Sequence, residues 1–252
     1  MTSPQPDVHS WDEATGVSPR GTLIVLPGRG EHGGLYERFG LRMAFDGYRV
    51  RALGDASLDP AGVTDAAAKL LRDETLPGPR VLVGADTGAA YAAELAAHDA
   101  PGLDGLVLAG LPTGPYPADA AGEWRAHGVP DWEGELERRT ACSAHRDRLT
   151  ADPVFRRGAL AGVLPYESPA LDRVSLPVLG LHGADDTVSP LPEVRRVYSA
   201  LCGAELVSLA GTRHDVLNDV THRTAAATVV LFLERLRLSP DLPPVAVPLD
   251  VA

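Results

Sequence analysis

Arg80-Val81-Leu82-Val83-Gly84-Ala85-Asp86-Thr87-Gly88 runs straight into the alanine-rich segment Ala89 to Ala97. Arg80 to Val83 is a short apolar run rich in β-branched residues and follows Pro79, which reads as a buried strand. Gly84 to Gly88 is a tight turn, and Ala89 to Ala97 is a helix. Small residues two before and two after Asp86 allow a strained strand-to-helix turn, which lifts the central side chain above the sheet and aims backbone N–H groups at whatever it meets. The plainer alternative is a glycine turn whose aspartate caps the following helix.

The pattern repeats on either side. Thr22 to Leu26 is an apolar strand that stops at Pro27-Gly28. Leu35 to Phe45 has helical spacing closed by Gly47, Tyr48 to Leu53 alternates like a strand, and Asp65 to Arg72 reads as a helix. Beyond the turn come strands at Leu106 to Ala109, Pro177 to Leu181 and Ala204 to Leu209, with helices at Pro192 to Leu201 and Thr221 to Leu236. Strands alternating with helices predict one α/β domain over residues 1–252, with a mostly parallel sheet flanked by helices. The rhythm breaks over 112–172, a polar stretch rich in Pro, Arg and Glu that reads as a small helical lid. The first dozen residues and the Pro-rich tail, 239–252, read as loose extensions.

The composition narrows the function. Of 252 residues 44% are hydrophobic, enough for one sizeable core. A net charge of −11 disfavours nucleic acid and anionic lipid as partners. Two cysteines, Cys142 and Cys202, cannot build a disulfide scaffold or a four-ligand zinc site and read as free thiols in a reduced cytoplasm. No signal peptide or membrane span is visible. Abundant Ala, Gly, Pro and Arg with a single lysine, Lys69, suggests a high-GC bacterial genome.

Two further segments accompany the Asp86 turn. His182-Gly183-Ala184-Asp185-Asp186 follows a strand directly, and Gly211-Thr212-Arg213-His214-Asp215-Val216-Leu217-Asn218-Asp219 lies between the last strand and the last helix. Central residue, acid and histidine in that order, each at the C-terminal end of a strand, form a catalytic constellation in which the acid orients a histidine base.

The three segments resemble the α/β-hydrolase family, and within it the monoacylglycerol lipase or lysophospholipase-like group. Pro27-Gly28-Arg29-Gly30-Glu31-His32-Gly33-Gly34-Leu35-Tyr36 is similar to that group's HGxGEHxxRY loop, His182 to Pro190 to its HGxxDxxVxP loop, and His214 to Asp219 to its HExxNE ending. The resemblance covers roughly residues 20–112 and 172–236. It implies an oxyanion hole from the N–H groups of Arg29 and Thr87, worth ~3 kcal/mol per donor. It places Asp186 as the orienting acid, with Asp185 the alternate.

The chain departs from that group at its centre, where Asp86 stands in place of serine. A carboxylate is ionised at neutral pH and can displace a leaving group from saturated carbon, forming an alkyl ester that His214-activated water then clears. Here the resemblance is to epoxide hydrolases, whose DxGA is similar to Asp86-Thr87-Gly88-Ala89, and to haloalkane dehalogenases. The dehalogenases place tryptophan where this chain has Thr87, although Trp124 or Trp132 could substitute. Tyr116 and Tyr166 are candidate proton donors to an opening ring, and otherwise packing residues. His32 is a candidate substrate contact, and Arg29 could bind a substrate carboxylate or phosphate. The expected partner is a small, partly apolar organic molecule, with no metal or organic cofactor. Three other readings of Asp86 stay open: a general acid or base in non-hydrolytic cyclase- or lyase-type chemistry, a relic in a catalytically silent binding protein, and an introduced replacement of serine.

Overall fold

The computed structural model describes residues 8–98, 100–113, 131–162, 171–201, 203–247 and 249. Seven strands form one sheet: β1 (His9–Trp11), β2 (Gly21–Leu26), β3 (Tyr48–Ala52), β4 (Arg80–Ala85), β5 (Gly105–Ala109), β6 (Val178–Gly183) and β7 (Glu205–Leu209). Their order is β1-β3-β2-β4-β5-β6-β7, and every pairing is parallel except β1 with β3. The main helices are α1 (Glu37–Phe45), α2 (Pro60–Leu71), α3 (Thr87–Ala97), α4 (Trp132–Arg139), α5 (Ser143–Ala151), α6 (Leu191–Tyr198) and α7 (His222–Leu238).

Strand residues alternate between two cores, as the two-residue period of a strand dictates. Leu23, Val25, Val81, Val83 and Val107 face one side, where Phe39 and Met43 of α1 and Val229, Phe232 and Leu233 of α7 cover them. Ile24, Leu26, Leu82, Leu106 and Leu108 face the other, under Val63 and Leu71 of α2, Ala89 and Ala93 of α3, and Val194 of α6. Burial on both faces explains why these strands read as continuous apolar runs.

Two terminal regions differ from the sequence reading, and the insertion packs on the core. The first dozen residues are not all loose, because His9–Trp11 adds an edge strand. Gly40 makes room for it, since a Cβ there would lie 2.3 Å from the Trp11 ring. The tail begins by folding back: Leu242 is buried against the α7 side of the core, and Arg235 donates to the carbonyls of Leu242 and Pro243. The described part of the insertion holds α4 and α5, whose Leu136 and Leu149, with Phe155, join the main core. Among the described residues no helix is long and apolar enough to cross a membrane.

Candidate active site

The chain runs from β2 outward to β3 and returns across the sheet to β4. The C-terminal ends of β2 and β4 therefore face each other at a topological switch point, where open α/β sheets bind ligands. Arg29 follows β2 and Asp86 follows β4. Asp86 has φ 47° and ψ −122°, a left-handed conformation rare outside glycine and costing about 1–3 kcal/mol. The flanking glycines permit it. A Cβ at Gly84 would lie 2.3 Å from the Cα of Ala89, and one at Gly88 would lie 2.0 Å from the Leu26 carbonyl oxygen. Asp86 makes no side-chain cap of α3, so the capping alternative fails.

The Asp86 carboxylate is buried, and the expected partners converge on it. His214 Nε2 lies 3.1 Å from Oδ1, and His214 Nδ1 lies 2.8 Å from Oδ2 of Asp186. Of the two adjacent acids, Asp186 is the one that contacts His214, while Asp185 is exposed. The N–H groups of Val188 and Ser189 hold the other Asp186 oxygen at 2.8 and 3.0 Å. The Arg29 N–H donates to Asp86 Oδ2 at 2.9 Å. Thr87 reaches the same oxygen through its hydroxyl, at 3.2 Å.

The sequence reading offered the Arg29 side chain to a substrate carboxylate or phosphate, whereas in the structure it pairs with Asp86. Its Nε donates to Asp86 Oδ2 and its Nη2 to Oδ1, both at 2.8 Å, which makes a two-point buried ion pair. Its Nη1 donates to the carbonyl of Gly162 at 2.8 Å, linking this pair to the insertion.

These charges set the protonation states. Burial works to raise the Asp86 pKa, but the Arg29 charge, with hydrogen bonds from His214 and Arg29, holds it well below the usual carboxylate range. Burial pushes His214 down, and the charge and hydrogen bond of Asp186, followed by those of Asp86, reverse this and raise it to about 10. At neutral pH the resting site holds two carboxylates, an imidazolium and a guanidinium.

A frame of buried polar side chains surrounds the site. His182 is buried, with Nε2 3.1 Å from Asp186 Oδ2 and 2.7 Å from the Ser189 carbonyl. Its position four residues before Asp186 could have marked it as that acid's support. Arg139 of α4 is fully buried and donates to the Arg29 carbonyl at 2.7 Å and to Asp215 at 3.4 Å. It also pairs with Glu135 at 3.0 Å. The insertion thereby fixes the Arg29 loop and the His214 loop together. Glu31 accepts from the Gly28 N–H at 3.0 Å and from the Tyr36 hydroxyl, and burial followed by repulsion from Asp215 raises its pKa. Glu31, His145 and Asp215 offer potential metal-ligand atoms within 4.8 Å of one another. The Arg139 guanidinium already supplies positive charge there, so the donor set suits an ion pair better than a metal.

Other candidates lie apart. His32 pairs with Asp152 of the insertion at 2.9 Å and packs near His9, so its contacts serve the loop rather than Asp86. Trp132 packs on Phe155 and beneath Arg157. Tyr116, Trp124 and Tyr166 fall outside the described residues. A void of about 10 Å³, room for one water, is lined by Glu31, Tyr36, Asp86, His214, Asp215 and Asn218 among others.

No protein-family model matches the sequence, and no curated protein matches it. Solved structures do. A monoacylglycerol lipase from Paleococcus ferrophilus aligns with TM-score 0.71 and 16% identity, over 93% of this chain and 99% of that one. A soluble variant of monoglyceride lipase from Saccharomyces cerevisiae, solved with a substrate analogue, aligns with TM-score 0.71 and 15% identity, over 93% and 96%. An esterase from Exiguobacterium antarcticum aligns with TM-score 0.68 and 18% identity, over 90% and 94%. The chain has the α/β-hydrolase fold, and identities this low speak for the fold alone.

Proposed function

We propose that this protein is a hydrolase of a small, partly apolar organic substrate, in which Asp86 attacks saturated carbon and His214-activated water releases the product. One observation carries the reading: the two oxygens of Asp86 occupy different environments. Oδ2 sits on the Arg29 N–H at 2.9 Å, and Oδ1 faces His214 at 3.1 Å. In the first step an Oδ1 electron pair forms a bond to carbon, and the leaving oxygen or halide takes the electrons of the bond that breaks. Oδ2 is then the ester carbonyl oxygen. When water adds to Cγ, the negative charge develops on Oδ2, already within hydrogen-bond reach of its donor. Collapse breaks the Cγ–Oδ1 bond and frees an alcohol that carries Oδ1.

Electrostatics supports the order of events. His214 is protonated at rest because two carboxylates face it. Alkylation neutralises one of them, so the imidazole pKa falls and a base becomes available when water must be activated. The one-water void beside Asp86 and His214 offers a seat for that water.

A second reading, a catalytically silent protein, is favoured by the Arg29 fork that occupies both Asp86 oxygens. One experiment separates the two. His214→Gln is incubated with a panel of epoxides and alkyl halides, and its intact mass is recorded. A hydrolase of this type accumulates a stable adduct on the peptide containing Asp86, because the ester forms and is not cleared. A silent protein stays unmodified.

A further inference from the structure

We infer that the substrate carries a carboxylate, and that the Arg29 side chain leaves Asp86 to receive it. The inference rests on Asp86 being the nucleophile. For Oδ1 to attack, a carbon must approach to about 3–3.5 Å along a free lone pair. In the resting site Arg29 Nη2 lies 2.8 Å from Oδ1, so the guanidinium stands where the reacting carbon has to be. Among the described residues, the void beside the dyad has room for about one water. Productive binding therefore requires the guanidinium to move.

Where it can move depends on what it finds. Arg29 is buried, with 6% of its surface exposed. A neutral substrate that pushed it from Asp86 would leave a buried cation that keeps, of its described side-chain hydrogen bonds, only the one to the Gly162 carbonyl. A substrate carboxylate presents the same two-oxygen edge as Asp86 and can take over the fork unchanged. Asp86 is then relieved of the charge that suppresses its nucleophilicity. Recognition and activation become one event.

The backbone of Arg29 is held independently of its side chain. Its N–H is held by Asp86 Oδ2 and its carbonyl by Arg139 Nη2 at 2.7 Å. The next residue, Gly30, has φ 79°, and a Cβ there would lie 2.5 Å from the Arg156 carbonyl oxygen. The main chain is pinned at both peptide groups, so a displaced side chain would leave the N–H in place.

The chemistry balances for an epoxide. Oδ1 bonds to the ring carbon, the C–O bond breaks, and the ring oxygen keeps the electron pair and takes the proton of the resting His214 imidazolium, which leaves His214 neutral. Water then adds to Cγ and gives one proton to His214, which passes it to the departing oxygen. The second water proton passes to His214 as the carboxylate reforms, which restores the imidazolium, so one water is consumed for each diol.

The test compares glycidate with glycidamide, the same epoxide bearing a carboxylate or a neutral amide. His214→Gln is exposed to each, and the adduct on Asp86 is followed by intact mass and peptide mapping. Glycidate should label at least about tenfold faster, the ratio that one charge-assisted hydrogen bond supports. Adding Arg29→Met should erase the preference and speed labelling by glycidamide, because Oδ1 is uncovered. Should Arg29→Met fail to fold, the ratio in His214→Gln alone decides. Equal labelling by both compounds would overturn the carboxylate inference and leave Asp86 as the nucleophile. Labelling by neither, and by no neutral epoxide or halide, would overturn both.

Discussion

Asp86→Asn keeps the shape of the side chain and removes its charge. The cost follows from burial: Asp86, Arg29 and His214 are 3%, 6% and 2% exposed, so water screens little of the lost attraction. Removing one partner of such a pair costs about 3–5 kcal/mol, because the other charge remains buried without it. At roughly 2–4 °C per kcal/mol for a chain of this size, the melting temperature should fall by roughly 6–20 °C. The His214 pKa, raised to about 10 by Asp186 and Asp86 together, should also fall, since Asp186 alone remains. Thermal unfolding at neutral pH reads the first effect, and NMR titration of labelled histidine reads the second. Arg29→Met combined with Asp86→Asn should be less destabilised than the two single changes added, because neither buried charge is then left behind. An Asp86→Asn protein that melts within about 1 °C of the parent, or strict additivity in the double variant, would refute the ion-pair argument.

Stability should also depend on pH in two windows. The folded pKa of His214 is about 10 against an ordinary 6.5, so its contribution is complete below about 6.5 and is lost as pH rises toward 10. Asp86 and Asp186 are depressed, so theirs is present above the ordinary carboxylate range and lost as pH falls below it. Melting curves across both windows check this, and His214→Gln should flatten the alkaline one. Gly88→Ala should destabilise by about 3 kcal/mol, because its Cβ meets backbone at 2.0 Å, while Gly54→Ala, with nothing within 4 Å, should show no packing clash. Denaturant unfolding of the two variants reads the difference.

How much of this was legible in the sequence depends on the range of each signal. The central strands and the turn at Asp86 were readable because each is a local pattern of apolar runs, glycines and alanines. The order Asp86, Asp186, His214 was readable because strand ends carry the site in this architecture. Trp11 was not, since a three-residue edge strand is too short for periodicity and its ring rests on Gly40 of α1, distant in sequence. Arg139 was not, because Trp132-Glu133-Gly134-Glu135-Leu136-Glu137-Arg138-Arg139 reads as a solvated helix, and only the tertiary fold buries Glu135 and Arg139. The Arg29 fork was half legible: the loop motif located the N–H, but nothing local says where a long side chain turns once Asp86 replaces an uncharged serine.

The most direct test of the central claim follows oxygen. An epoxide or halide that labels His214→Gln is turned over once by an excess of the parent enzyme in ¹⁸O-enriched water. The protein is then digested, and the peptide spanning Gly84 to Gly88 is weighed beside the product. If Asp86 is the nucleophile, one heavy oxygen enters its carboxylate and the product carries the ordinary oxygen that was Oδ1. Heavy oxygen in the product, with none in Asp86, would mean that water attacks the substrate directly and that Asp86 forms no ester.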